Sequence, residues 1–154
     1  MISIVTKIRV KGKTPTQISD WLVNLDHDRY LSWHPAHKDF RHIRKTENFV
    51  GSVIFFDEII NDVRMKGTWE VLEFQNGESV LLKARAIFPA YMRLSAKKIG
   101  EDTEITNELL IGFSFGFLGK IFDWFIKKFV FTERKVRALE RHTKEEFERL
   151  EDII

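Results

Sequence analysis

The hydrophobic period changes once along this chain, and that change limits the folds open to it. From residue 37 to residue 115 the apolar residues recur at strand spacing, in short runs separated by turns. From about Leu118 to Asp152 they recur at helical spacing, with Ile121, Phe125, Phe129, Thr132, Val136, Leu139, Thr143, Phe147 and Leu150 close to one stripe. A run of six or seven strands followed by one long terminal helix predicts an antiparallel meander with that helix laid across its apolar face. A bend is expected near Phe131-Thr132.

Ahead of the meander the chain reads as one strand and two short helices. Residues 2–11 alternate roughly as a half-buried strand. Thr14 is placed to cap a helix with Pro15 at its first position, and Ile18, Trp21, Leu22 and Leu25 give that helix its apolar side. A second helix is expected over Asp28–Trp33, stopped by Pro35. The later strands are expected at 37–46, Gly51–Asn61, 63–74, Ser79–Phe88, Tyr91–Lys98 and Thr103–Phe115, with turns at Asn76-Gly77 and Gly100-Glu101-Asp102. No repeat or linker divides the 154 residues, so a single α+β domain over 1–154 is expected.

Composition narrows the function. The 25 Lys+Arg and 23 Asp+Glu leave a net charge of +2, without the basic excess of a nucleic-acid coat. The absence of cysteine excludes disulfide scaffolds, thiol catalysis and Cys-based zinc sites. Met1-Ile2-Ser3-Ile4-Val5 has neither the basic start nor the cleavage site of a signal peptide, so a cytoplasmic protein is expected. The longest uncharged run, Leu109–Gly119, is short of the roughly 20 residues of a membrane span, and Lys120, Asp123, Lys127 and Lys128 follow it, so no integral membrane segment is expected. Fourteen Phe and four Trp against two Tyr are enough large rings to fill a core or line a pocket.

Three groups of residues carry candidate chemistry. His142 and Glu146 are four apart on the terminal helix, with Glu146 inside the apolar stripe and His142 at its edge. A carboxylate directed into a core needs a partner or a cation. In Tyr30-Leu31-Ser32-Trp33-His34-Pro35-Ala36-His37, two histidines bracket a proline at a helix-to-strand junction, and imidazole is the commonest metal ligand. His27 and His42 sit in more polar settings and are expected in solvent. In Phe55-Phe56-Asp57-Glu58-Ile59-Ile60, alternation directs one of the two carboxylates to the inner face without saying which; Glu108 is a weaker case. Nitrogen and oxygen donors without sulfur suit zinc, and also manganese, iron or nickel.

The element order resembles the helix-grip fold of the START-like superfamily, also called SRPBCC, along nearly the whole chain. That resemblance implies a space between sheet and helix, near which Trp33, Phe56, Trp69, Phe113 and Phe125 are expected. More narrowly, Arg29-Tyr30-Leu31-Ser32-Trp33-His34-Pro35-Ala36-His37 is similar to the Arg-Tyr-x-x-Trp-His-Pro-x-x-His segment of the diacetylphloroglucinol and phloretin hydrolases. These enzymes cleave the carbon–carbon bond between an acyl group and a phloroglucinol ring with zinc. The resemblance implies metal ligands at His142, Glu146, Glu58 and either His37 or His34; His37, after Pro35 at the strand entry, is the preferred one, and Tyr30 is a candidate acid or orienting hydroxyl. This chain has one residue, Ala36, where the motif has two, and it is shorter than those hydrolases. The implied function is metal-dependent hydrolysis of a small acyl-phenol or β-diketone. The alternative is non-catalytic carriage of a hydrophobic lipid, polyketide or quinone, which the same fold often performs.

Overall fold

The computed structural model describes residues 1–113 and 116–154, excepting the side chains of residues 117, 118, 129 and 130. Among the described residues seven strands form one antiparallel sheet: β1 (Ile2–Val10), β2 (His37–Arg44), β3 (Val53–Ile60), β4 (Val63–Gln75), β5 (Ser79–Ala84), β6 (Ala90–Ile99) and β7 (Asp102–Ile111). Their order across the sheet is β1-β7-β6-β5-β4-β3-β2. Five hairpins therefore link consecutive strands, and the first strand returns beside the last. Helices α1 (Pro15–Val23) and α2 (His27–Trp33) lie between β1 and β2, and α4 (Glu133–Glu148) packs chiefly against β1 and β3.

Local chemistry explains the start of α1. The Thr14 side chain accepts the Gln17 N–H at 3.2 Å, and the Gln17 side chain accepts the Thr14 N–H at 2.9 Å. This reciprocal cap satisfies two N–H groups that the helix leaves open. The main core then joins Ile8, Val10 and Ile105 of the sheet to Ile18, Trp33, Phe147 and Leu150 of the helices. A second cluster around Val71 and Leu82 and a third around Ala90, Ile111 and Ile126 fill the remainder of the inner face.

The structure corrects the expected element ends. β5 stops at Ala84, so 85–89 is a loop and not the end of a strand to Phe88. β7 stops at Ile111, because Gly112 at φ +106° leaves the extended region; Ser114 and Phe115 lie outside the described residues. The terminal helix comes in pieces: α3 (Gly116–Phe125), a π-helical turn (Ile126–Val130), α4, and a short α5 (Leu150–Ile153). The break falls at Phe131-Thr132, where the Phe131 N–H closes on the Ile126 carbonyl at 2.9 Å and the backbone turns extended at Thr132. α1 ends at Val23, and Leu25 is buried just beyond it.

Within β3 the alternation resolves in favour of Glu58. Ile54, Phe56 and Glu58 face the space under α4, while Asp57 lies on the other side of the sheet in a bidentate pair with Arg64, at 2.9 and 2.5 Å. Hydrogen bonding to Arg64 holds the Asp57 carboxyl below the usual aspartate range, against the opposing effect of burial. A depressed carboxyl contributes stability that is present above the unfolded pKa and is lost as pH falls through the folded one. Urea midpoints of the wild type and Asp57→Asn should therefore differ at neutral pH and converge in acid below the ordinary aspartate range. A gap that stays constant down to that range would assign the effect to packing.

Candidate functional site

The candidate site is built on a cross-strand pair. His37, at the start of β2, lies directly opposite Glu58 of β3. A register shift between His37 and Asp39 lets His37 and Phe40, three apart, both turn inward. The His37 ring is fixed on several sides. Tyr30 stacks on it at 3.8 Å with 3° between the planes, and Trp33 meets it edge-on at 5.4 Å. Its Nδ1 lies 2.7 Å from the Tyr30 carbonyl. That carbonyl can only accept, so Nδ1 carries the proton and Nε2 is aimed into the site.

Two residues of α4 complete the group. The indole N–H of Trp33 donates to the Glu146 carbonyl at 2.6 Å. That carbonyl belongs to the last turn of α4, where helical acceptors lack partners within the helix, so the bond ties α2 to α4 at the site. One turn earlier, His142 Nε2 stands 3.3 Å from Glu58 Oε2 and 3.9 Å from Glu146 Oε2. His37 Nε2 stands 3.2 Å from Glu146 Oε1 and 3.8 Å from Glu58 Oε2. Donor atoms of His37, His142 and Glu146 all lie within 4.8 Å of one another. Two imidazoles and two carboxylates thus face one another from β2, β3 and α4.

The protonation pattern follows from burial and neighbours. Burial acts to lower His142, but its contact with Glu58 and the charges of Glu146, Glu58 and Glu145 outweigh that and raise it. His34 is lowered by burial first, then by His142 and His37. Its Nδ1 accepts the Ala36 N–H at 3.1 Å, and its ring meets the His142 ring edge-on at 4.6 Å. His34 therefore stands behind His142, with Nε2 3.7 Å from Glu145. The Tyr30 phenol is pushed far up by burial and then by the Glu58 and Glu146 charges. It keeps its proton and points it at Glu58 Oε2, 3.5 Å away.

Imidazole and carboxylate are donor types that a divalent cation takes, and His37, His142 and Glu146 are the residues placed to hold one. His37 Nε2 is buried without a hydrogen-bond partner. A nitrogen so placed, facing two carboxylates, calls for a proton or a cation between them. Tetrahedral zinc with bonds of about 2.0–2.2 Å sets donor–donor spacings of about 3.4 Å. The His37–Glu146 and His142–Glu58 spacings of 3.2 and 3.3 Å are close to that value, while His37–Glu58 and His142–Glu146 are wider at 3.8 and 3.9 Å, and the mutually close donors are those of His37, His142 and Glu146. Among the described residues no second metal-ligating cluster forms.

Glu58, His142 and Glu146 of the cluster, with Tyr30, line a cavity of about 210 Å³, and His37 does not. Trp33, Phe56 and Trp69 line it, together with Leu82, Met92 and Phe147. Phe113 and Phe125 do not. Phe113 packs edge-on against Phe122, and Phe125 is 56% exposed on α3, because the chain breaks before α4 and turns this part of the stripe away from the sheet. His42 also departs from expectation. It lines the cavity, with Nε2 2.8 Å from the Leu25 carbonyl, because the shift within β2 turns it inward. His27 stays exposed and meets Asp39 at 3.1 Å. Glu108 lies outside the cavity and accepts from Ser3 at 3.4 Å. Asn107 is a cavity residue that sequence reasoning missed; its place on the inner face of β7 was visible only as alternation with Ile105 and Leu109.

A curved antiparallel sheet, helices after its first strand and a terminal helix closing a cavity over its inner face are now all in place. The fold is the START-like helix grip. No protein-family model matches the sequence, and no curated protein matches it. Solved helix-grip structures do. The solution structure of the Aha1 dimer from Colwellia psychrerythraea aligns with a TM-score of 0.62 at 12% identity, covering 99% of both chains. A START superfamily protein from Mycobacterium smegmatis aligns at 0.58 and 14% identity, covering 91% of this chain and 95% of that one. Ginseng major latex-like protein 151 from Panax ginseng aligns at 0.57 and 17% identity, over 92% and 96%. At such identities the helix-grip likeness concerns architecture, and the site must be read from its own residues.

Proposed function

We propose that this protein binds a small hydrophobic molecule in the cavity between the sheet and α4. The cavity itself carries the reading: about 210 Å³ of space in a small domain, walled chiefly by Trp, Phe, Ile, Leu and Met side chains, with polar groups at Tyr30, His42, Glu58, Asn107, His142 and Glu146. Its size lies between the ~150 Å³ void that takes benzene and the ~300–1,000 Å³ of drug-sized sites. One or two rings, or a short acyl chain, match that space. Two buried acceptors on its wall have no partner, Asn107 Oδ1 and His42 Nδ1. His42 Nε2 donates to the Leu25 carbonyl, which leaves Nδ1 to accept. Both groups favour a ligand that brings a hydroxyl.

Solvent extraction of natively purified protein followed by mass spectrometry tests this, alongside titration with 2-naphthol as a two-ring phenol. Saturable naphthol binding near one per chain, weakened about tenfold or more by Asn107→Leu, is the expected result. A protein that yields no bound compound and shows no saturable naphthol binding would refute the reading.

A second reading, metal-dependent hydrolysis, is favoured by one observation: the buried His37 Nε2, without a hydrogen bond, faces Glu146 and Glu58 beside His142. A divalent cation held by these four residues would polarise a carbonyl and acidify a bound water. Tyr30 would orient Glu58 with a hydroxyl that stays protonated, and His34 would steady His142 from behind. The resemblance of the Tyr30–His37 segment to acyl-phloroglucinol hydrolases points to an acyl-phenol or a β-diketone as substrate. An acyl-phenol would also supply the hydroxyl that Asn107 and His42 lack.

A further inference from the structure

Helix α3 is amphipathic in the reverse sense. Its inward side carries Gly119 and Asp123, with Ile126 following them at the start of the π turn; Gly119 and Ile126 are buried. Its outward side carries Ile121, Phe122, Trp124 and Phe125, each 44–56% exposed. At about 100° per residue these four cover one continuous side of the helix. A helix on a globular domain normally lays such a side on the core. Single exposed apolar residues are ordinary, but four large ones within five positions form a patch.

A loop at the same end carries a further exposed apolar residue. Ile87, fully exposed, stands in the β5–β6 loop. That loop lies at the same end of the sheet. The Pro89 carbonyl accepts the Gly112 N–H at 2.9 Å, and Phe88 packs on the cluster that contains Ile126. The charge on this segment is mostly positive. Between Gly112 and Thr132 the charged residues are Lys120, Asp123, Lys127 and Lys128. Asp123 is turned inward, where it accepts the Phe113 N–H at 3.1 Å and meets the Met1 ammonium. Lys120 and Lys127 flank the aromatic side and pair with no carboxylate among the described residues. Lys128 lies over the Trp124 ring at 4.8 Å.

We propose that this face docks reversibly on an anionic phospholipid surface, with Phe122, Trp124, Phe125 and Ile87 in the acyl boundary and the lysines among the headgroups. Bulky aromatics with lysine on a short in-plane helix are the composition that partitions into the membrane interface. The lysines select negative headgroups and act within a Debye length of the surface. A second copy of this chain is a poorer occupant, since it would set lysine against lysine. No helix of the described residues is long and apolar enough to cross a bilayer, so the contact is peripheral. The inference does not depend on the cavity's ligand or on a metal.

Vesicle co-sedimentation tests it, using phosphatidylcholine alone and phosphatidylcholine with about 30% phosphatidylserine. The expected result is binding to the anionic vesicles that weakens as salt rises, with a blue shift of tryptophan emission that disappears in Trp124→Phe. Phe122→Ser with Phe125→Ser, and separately Lys127→Glu with Lys128→Glu, should each lower the bound fraction about tenfold or more. Ile43→Ser, at a 61% exposed position on β2, should bind as the wild type does. All four side chains changed in the double variants are exposed, and circular dichroism checks that those variants remain folded. Three results would overturn the proposal. One is no binding to either vesicle, and another is equal binding by folded variants. The third is a dimer, seen by sedimentation velocity without vesicle binding, that the Phe122→Ser/Phe125→Ser variant dissolves.

Discussion

Zinc added to the metal-stripped protein is expected to raise its unfolding free energy by about 4 kcal/mol when the free ion stands about 1,000-fold above its Kd. For a domain of this size the same change appears as a rise in Tm of about 8–16 °C. The effect is large because the folded state alone assembles the donors. Glu58 and His142 are 84 residues apart in sequence and 3.3 Å apart in the fold. The unfolded chain offers at most local pairs, His34 with His37 or His142 with Glu146, which hold zinc more weakly. His142→Ala should abolish most of the rise, and His37→Ala should do the same. His27→Ala should retain it, since His27 is exposed and meets only Asp39. Differential scanning calorimetry with elemental analysis reads both quantities on one sample. No shift with zinc or manganese, or an equal shift in the His142→Ala variant, would remove the metal reading and leave the cavity as a binding site only.

The sheet and its order were legible because each strand is marked by alternation and each hairpin by turn chemistry. Asn76-Gly77 sits between β4 and β5 as its sequence predicts, with Gly77 at φ +73°. The cap at Thr14 was equally plain, since Thr followed by Pro marks a helix start, while the reciprocal bond from Gln17 was seen only in the fold. The choice between Asp57 and Glu58 was not legible. Both neighbour apolar residues on each side, and only the pairing of Asp57 with Arg64 across the β3–β4 hairpin separates them. His42 was misjudged because its charged sequence neighbours lie on a bulged strand, where adjacent side chains need not alternate. The stripe from Ile121 to Leu150 misled for another reason. Periodicity records which side of a helix is apolar, not what that side faces. A π turn and an extended Thr132 separate α3 from α4, so Ile121 and Phe125 point to solvent while Thr143 and Phe147 remain on the core. The histidines and carboxylates of the site were each visible in the sequence. Their convergence rests on the His37–Glu58 register and on the Trp33 bond to α4, which are tertiary facts.

Phe147→Ala should destabilise the protein by about 3–5 kcal/mol, the usual cost of emptying a buried aromatic position. Phe147 is 4% exposed, meets Trp33 edge-on at 5.5 Å, and belongs to the main core. It lines both the large cavity and a smaller cleft of about 50 Å³ beside Ile18, Leu22 and Leu94. Truncation is expected to join them, since Phe147 is the most deeply buried residue common to both linings. The surrounding residues come from a strand, a capped helix and α4, which are held by separate hydrogen-bond networks and have little freedom to collapse inward. The loss should therefore fall at the upper end of the range, with a lower urea midpoint and an unchanged m-value. The joined space should also accept larger rings, so the variant is expected to bind a three-ring phenol better, relative to 2-naphthol, than the wild type does. Phe147→Leu fills most of the volume and should restore both stability and the preference for the smaller phenol. A loss below about 1.5 kcal/mol would mean that the helix relaxes into the gap, and that α4 rests on the sheet more loosely than its Trp33 tie implies.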